Sequence, residues 1–232
     1  MLKLNQVSKT YHVGNENFPA LQEITLDVEP KAFLAFVGPS GSGKTTLLNL
    51  IGGLDRPTSG EIIFNGCNLK TMSNEKLAAL RREKIGFIFQ SHSLLPVYNV
   101  YENVLFPLLL CNEKESEVRD RVMDMVVSVG LGSLAKKKPA ELSGGQCQRA
   151  AIARALIKQP SLVLADEPTA NLDTKNSCHI LELMRDLNEK TQVAFLFSTH
   201  DDRVIKYIHR EIHLDDGSVS WDKRRNGTGV LE

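Results

Sequence analysis

Two glycine-rich stretches carry the residues best suited to chemistry: "GPSGSGKTT" (Gly38–Thr46) and "LSGGQCQ" (Leu142–Gln148). The first fits G-x-x-x-x-G-K-[ST] and stands between an apolar strand and a helix, which separates it from an ordinary glycine-rich turn. Gly38, Gly41 and Gly43 let the backbone wrap a phosphate with its N–H groups, with Pro39, Ser40 and Ser42 between them, and the helix that follows adds the positive end of its dipole. Lys44 is expected to reach the β- and γ-phosphates of a nucleotide and the Thr45 hydroxyl to ligate Mg²⁺, with Thr46 closing the loop.

A carboxylate element follows in "SLVLADEPT" (Ser161–Thr169). Asp166 ends an apolar strand, which puts it at the carboxyl edge where open α/β sheets bind ligands, and it suits the Mg²⁺ shell. Glu167 has no structural need to be acidic and could orient or deprotonate a water. Alone, the pair also reads as a solvated turn before Pro168; the phosphate loop upstream favours the chemical reading. "IGFIFQ" finishes at Gln90 and "VAFLFSTH" at His200, so four strand ends are expected to present Lys44 and Thr45, Gln90, Asp166 and Glu167, and His200 toward one edge. A lone Gln or His there would be a surface or capping residue; the convergence gives these two a role. The second loop precedes "CQRAAIARALIKQ", so Ser143, Gly144 and Gly145, followed by Gln146, expose N–H groups at a helix N-terminus. That is an anion site of open ligand, or a plain Ser N-cap with a glycine turn. "HREIH" (His209–His213) does not have the order of H-E-x-x-H and borders a strand and turn, so a zinc reading is set aside.

These residues need a scaffold, and the rest of the chain specifies one. Short apolar runs alternate with polar turns and longer helical patterns, which implies an α/β fold with a mostly parallel sheet. Strands are expected at 33–38, 85–89, 162–166 and 193–198, and helices at 44–52, 74–82, 115–129, 145–158 and 177–189. In the last helix Ile180, Leu181, Met184 and Leu187 form a core stripe. "FNGCN" (64–68) and "LDDGSV" (214–219) predict hairpins with type I′ turns. Residues 91–141 break the strand pattern and read as a helical insert. The 232 residues, 42% hydrophobic, suffice for a buried core, and 28 basic against 28 acidic residues give no field to attract nucleic acid. The most apolar run, Val104–Cys111, falls far short of the roughly 20 residues that cross a bilayer. With no signal peptide the chain is expected in the cytoplasm, its four scattered cysteines reduced.

"LSGGQ", taken together with the phosphate loop, Gln90, "LADEPT" and His200, resembles the nucleotide-binding subunit of an ABC transporter over roughly residues 1–222. The resemblance implies a P-loop NTPase core with an antiparallel β subdomain and a single ATPase domain over 1–222 with a helical subdomain at about 91–141; the polar, glycine-rich composition of 223–232 predicts a disordered tail. The resemblance also implies ATP and Mg²⁺ as cofactors, and a homodimer closing head to tail on ATP so that Ser143 to Gln146 of one chain meet the nucleotide held by the other. By the same resemblance Tyr11 stacks on adenine, Gln90 contacts Mg²⁺ and couples to the membrane subunit, Glu167 is the catalytic base, His200 holds the γ-phosphate, and Asp173 in "NLD" belongs to the D-loop.

"GGLDRPTSG", "LRREKIGFIFQ" followed by "LLP", and "ADEPTANLD" are similar to the lipoprotein-releasing (LolD) and macrolide-exporter (MacB) ATPases. Such subunits sit on the cytoplasmic face of the inner membrane and drive integral membrane permease subunits with periplasmic domains. An FtsE-like regulatory clamp, gating a periplasmic activity without transport, shares most of these motifs. The chain departs from the pattern at Pro30-Lys31, where relatives usually carry a Gly-containing turn, at Cys147, where Gln or Glu is usual, and at Ala170, commonly Gly. An oxidised Cys147 is expected to hinder closure.

Overall fold

The computed structural model describes residues 1–14 and 16–224. In chain order the strands and helices are β1 (Leu2–Val13), β2 (Glu16–Val28), β3 (Phe33–Val37), α1 (Lys44–Ile51), β4 (Ser59–Phe64), β5 (Cys67–Asn68), α2 (Asn74–Lys84), β6 (Ile85–Ile88), α3 (Val100–Leu110) and α4 (Glu115–Ser128). They continue with α5 (Gly144–Leu156), β7 (Leu162–Asp166), α6 (Thr174–Thr191), β8 (Ala194–Thr199), α7 (Asp202–Ile205), β9 (Arg210–Asp215) and β10 (Ser218–Arg224). The chain divides into two compact units, one formed by Met1–Arg81 with the segment from Ala194 onward, the other by Arg82–Val193.

In the first unit β3 runs parallel to β8 on one side and to β9 on the other, and β10 closes the edge antiparallel to β9. All five residues of β3 are buried, as are Ala194 to Thr199 of β8, which is why both read as continuous apolar runs and not as alternating ones. Phe33, Phe195 and Phe197 pack there, with the Phe33 and Phe197 rings edge to face at 4.9 Å. A second, antiparallel sheet in the order β2-β1-β4-β5 belongs to the same unit. Both expected hairpins are present: Asn65 and Gly66 have φ of 48° and 81°, Asp216 and Gly217 of 42° and 77°, the double positive φ of type I′ turns. The second turn also fastens the two sheets, since Gln22 N–H donates to the Gly217 carbonyl at 2.8 Å.

In the second unit β6 and β7 pair in parallel. Residues 100–157 supply a helical core in which Val100, Val104 and Leu108 of α3, Val118, Val122 and Val126 of α4, and Ala150 and Ala153 of α5 interlock at helical spacing. Pro107 lies inside α3, where it cannot donate to the Asn103 carbonyl one turn back. The Asn103 side chain, fully buried, instead organises the approach to α3: its Nδ2 donates to the Leu95, Tyr98 and Asn99 carbonyls at 3.1, 3.1 and 2.9 Å and its Oδ1 accepts from Leu95 N–H at 2.8 Å.

Two expectations need correction, and one departure from the family pattern has a structural cost. Gln90 does not end a strand: β6 stops at Ile88, and a turn closed by His92 N–H donating to the Phe89 carbonyl at 2.9 Å carries Gln90. The strand β10 runs two residues into the expected tail, held by Arg224 paired with Glu29 at 2.9 Å; residues 225–232 lie outside the described residues. At Pro30-Lys31 the turn keeps the glycine-type conformation without the glycine, with Lys31 at φ 64°, a strain of about 1 kcal/mol. No helix among the described residues is long and apolar enough to cross a membrane.

Candidate nucleotide site

The phosphate loop leaves β3 at Gly38 and enters α1 at Lys44. Gly38 has φ 152°, and a Cβ there would lie 2.1 Å from the Leu214 carbonyl oxygen, so no other residue fits. Gly41 is different: it has φ 85° with open space where its Cβ would be, so its backbone conformation and not crowding favours glycine there. The N-cap of α1 is Gly43, at φ 98°, with no capping side chain and no acid in the first turn. A helix N-terminus of this kind turns its first amides and the positive end of its dipole toward the loop, which suits a phosphate. The buried Lys44 ammonium lies across the loop, donating to the Gly38 and Pro39 carbonyls at 2.8 and 2.7 Å, so the ring closes around its own cation. Thr45 is exposed on the first turn, and the Tyr11 phenol donates to Asp55 Oδ2 at 2.9 Å. Val37 pairs with Thr199, which brings Gly38 and His200, each the next residue of its strand, to the same edge of this unit's sheet; His200 is exposed there.

The other expected residues belong to the second unit. Ile88 pairs with Ala165, so Asp166, the last residue of β7, and Phe89, the residue before Gln90, follow at one edge. Glu167 sits in the left-handed region at φ 47°, a conformation costing a non-glycine residue about 1 kcal/mol and found where function over-determines the backbone. The turn with Gln90 is held from two sides: Asn171 Nδ2 donates to the Gln90 carbonyl at 3.0 Å, and the Arg154 guanidinium to the His92 and Ser93 carbonyls at 2.9 and 2.5 Å. His92 and Ser93 themselves have φ of 61° and 47°.

Ser143 caps α5 in a reciprocal box: its Oγ accepts from Gln146 N–H at 3.3 Å and Gln146 Oε1 accepts from Ser143 N–H at 2.8 Å. The plain N-cap reading is thus realised within the single chain, while the Gly144 and Gly145 amides remain the orphan donors of a helix start. Gly145 is buried, and a Cβ there would meet Asn176 Oδ1 at 3.1 Å; Asn176 in turn donates from its backbone to Asp173, the N-cap of α6, at 2.9 Å. The bonds from Asn176 hold the Asp173 carboxyl below its usual range. The Cys147 thiol is half-buried, donates to the Pro139 carbonyl at 3.6 Å, and burial raises its pKa, which keeps it a thiol and slow to oxidise. His213, in β9, stacks on Trp221 at 4.9 Å.

The composition and order of these loops match a family. Residues 21–170 match the family described as ABC transporter. The chain belongs to the ABC transporter family. It is an ABC-type ATPase cassette with the mixed α/β fold of a P-loop NTPase. Two solved structures of the ATP-binding cassette MJ0796, described as a bacterial ABC transporter cassette, are each 40% identical to it, covering 98% of this chain and 100% of theirs, with a TM-score of 0.90. Both are dimeric, and one is a post-hydrolysis state bound to ADP and Pi.

Sequence reading missed several residues of this ABC cassette. Asp55 and Lys9 bracket Tyr11, and Arg154 and Asn171 hold the Gln90 turn. Their partners stand 44, 46, 62 and 81 residues away, so no local spacing signals them.

Proposed function

We propose that the chain is the ATP-binding and ATP-hydrolysing subunit of an ABC transporter complex, closing as a homodimer on Mg-ATP and driving integral membrane permease subunits with periplasmic domains, for lipoprotein release or export of a substrate. Residues 1–222 act as one ATPase domain with its helical part at about 91–141, docked peripherally on the cytoplasmic face of the inner membrane. The observation that carries the nucleotide reading is the glycine-rich loop that leads from β3 into the N-terminus of α1, with Gly38, Gly41 and Gly43 at positive φ and Lys44 drawn over the loop.

In this reading Gly38 to Thr46 cradle the phosphates, Lys44 neutralises charge on the γ-phosphoryl group, Tyr11 stacks on adenine, and His200 holds the γ-phosphate. Glu167 orients and deprotonates the attacking water. Ser143, Gly144, Gly145 and Gln146 act on the nucleotide of the second copy, with Asp173 beside them. Oxygen donors of the kind Mg²⁺ prefers stand at Thr45, Gln90 and Asp166, and the ion would offset charge between the β- and γ-phosphates. Catalysis is then positioning and charge stabilisation, with no covalent step on the protein. The dimeric state of both MJ0796 structures supports the homodimer. The branch and cargo rest on the motifs similar to the lipoprotein-releasing and macrolide-exporter ATPases.

The test is the solution mass of a Glu167→Gln chain with and without Mg-ATP. A monomer that becomes a dimer only with ATP is expected, because slowed hydrolysis traps the closed state. A monomer that binds ATP but never dimerises would refute closure by the chain alone; Ser143→Arg in the complex with membrane subunits would then decide whether the signature loop acts across chains.

A further inference from the structure

We propose that Asp55 is a positioning residue for base recognition: with Lys9 it holds the Tyr11 ring in the orientation that receives the adenine. The inference rests on the reading of Tyr11 as the base platform.

Asp55 lies in the loop that leaves α1, far from the phosphate loop in sequence but fastened to the strand that carries Tyr11. Its Oδ2 accepts from the Tyr11 hydroxyl at 2.9 Å, and its Oδ1 accepts from Lys9 Nζ at 2.7 Å and from the Arg56 amide at 2.7 Å. Lys9 Nζ donates also to the Arg56 carbonyl at 2.9 Å, and it lies 4.8 Å from the centroid of the Tyr11 ring. One face of the ring is thus covered by an ammonium in cation–π contact, while Tyr11 stays 37% exposed and has its other face for a flat partner. Burial alone would raise the Asp55 pKa, but the bonds from Lys9, the Arg56 amide and Tyr11 hold it below its usual range, so the hook stays charged.

One hydroxyl therefore links the platform on β1 to the loop after α1 through Asp55. Strand β1 fixes the backbone of Tyr11, which pairs with Phe18 of β2, but strand pairing leaves the side-chain torsions to be set by side-chain partners. Without the hook the ring must be ordered each time a base binds, at a cost equivalent to about threefold to tenfold in affinity for one interfacial side chain.

The experiment compares the full chain with Asp55→Ala, Tyr11→Phe, their double variant and Tyr11→Ala, measuring calorimetric Kd for ADP and for inorganic pyrophosphate. Asp55→Ala and Tyr11→Phe should each weaken ADP about threefold to tenfold and leave pyrophosphate within about twofold, because the phosphate cradle is untouched. The double variant should be no weaker than either single one, since both remove the same hydrogen bond. An Asp55→Ala chain that binds ADP normally, while Tyr11→Ala does not, overturns the role of Asp55 and leaves the platform standing. Unchanged ADP affinity in Tyr11→Ala overturns the platform and the proposal with it. Equal losses for ADP and pyrophosphate in Asp55→Ala would make Asp55 a support of the loop as a whole and also overturn it.

Discussion

Lys158, just beyond α5, shows what a partly buried charge costs this protein. Its Nζ donates to the Ile85 carbonyl at 2.7 Å, in a cavity of about 210 Å³ lined also by Phe87, Phe89 and Pro107. Burial pulls its pKa down to about 8, against a small opposing pull from Cys111. The sign follows from which state keeps the proton. Below pH 8 both states are charged and the folded state carries the full desolvation penalty; between pH 8 and the unfolded value of about 10.4 the folded chain sheds the proton first, so the penalty fades as pH rises. Urea unfolding of Lys158→Met is expected to show a gain on the order of 1–2 kcal/mol at pH 7, after allowance for the lost hydrogen bond, and a flatter stability profile from pH 8 to 10.

At the scale of elements, the turn after β6 depends on a side chain from α5. Arg154 donates to two carbonyls of residues in left-handed conformations, so it stabilises a backbone that would otherwise relax. Arg154→Ala should cost about 2–3 kcal/mol, the value of charged hydrogen bonds in partly buried surroundings. Hydrogen exchange should show the His92 amide losing protection while the amides of α5 keep theirs; Lys at this position, with no fork, should recover only part. The elements themselves were largely legible. Strands 85–89 and 162–166 stood out because buried parallel strands leave unbroken apolar runs, and both hairpins were visible in Asn-Gly and Asp-Gly; helix α3 was not located, because its apolar residues run together around Pro107 and hide the helical period. Strands β1 and β2 were not located by their spacing, because Gln6 and Glu23 take φ of 48° and 49° and the register shifts three times along the pair, which breaks the alternation a reader looks for. In the site, the motif residues were legible from their order in the chain. Asp55, Lys9, Arg154 and Asn171 were not, since each acts only through a partner that folding brings from far along the sequence.

At the scale of the whole molecule, the first unit is assembled from both ends of the chain and the second from its middle. Strand β3, which delivers the phosphate loop, has its two parallel neighbours, β8 and β9, more than 150 residues downstream. A chain ending at Val193 keeps every residue of the phosphate loop but leaves β3 without hydrogen-bonding partners on either side. Such a truncation is expected to abolish ADP binding in calorimetry, while circular dichroism still reports the helices of 100–157; ADP binding retained by the truncated chain would show that the loop folds without its sheet. The close approach of Gly38 to the Leu214 carbonyl extends this into the timing of synthesis. The loop is made early, yet its first glycine is packed only when residue 214 has emerged. At about 5–20 residues per second the growing polypeptide spends roughly ten to thirty seconds carrying a finished sequence motif that has no finished shape. During that interval the growing chain is expected to be unable to hold a nucleotide, because the loop gains its packing partner only when residue 214 has been made.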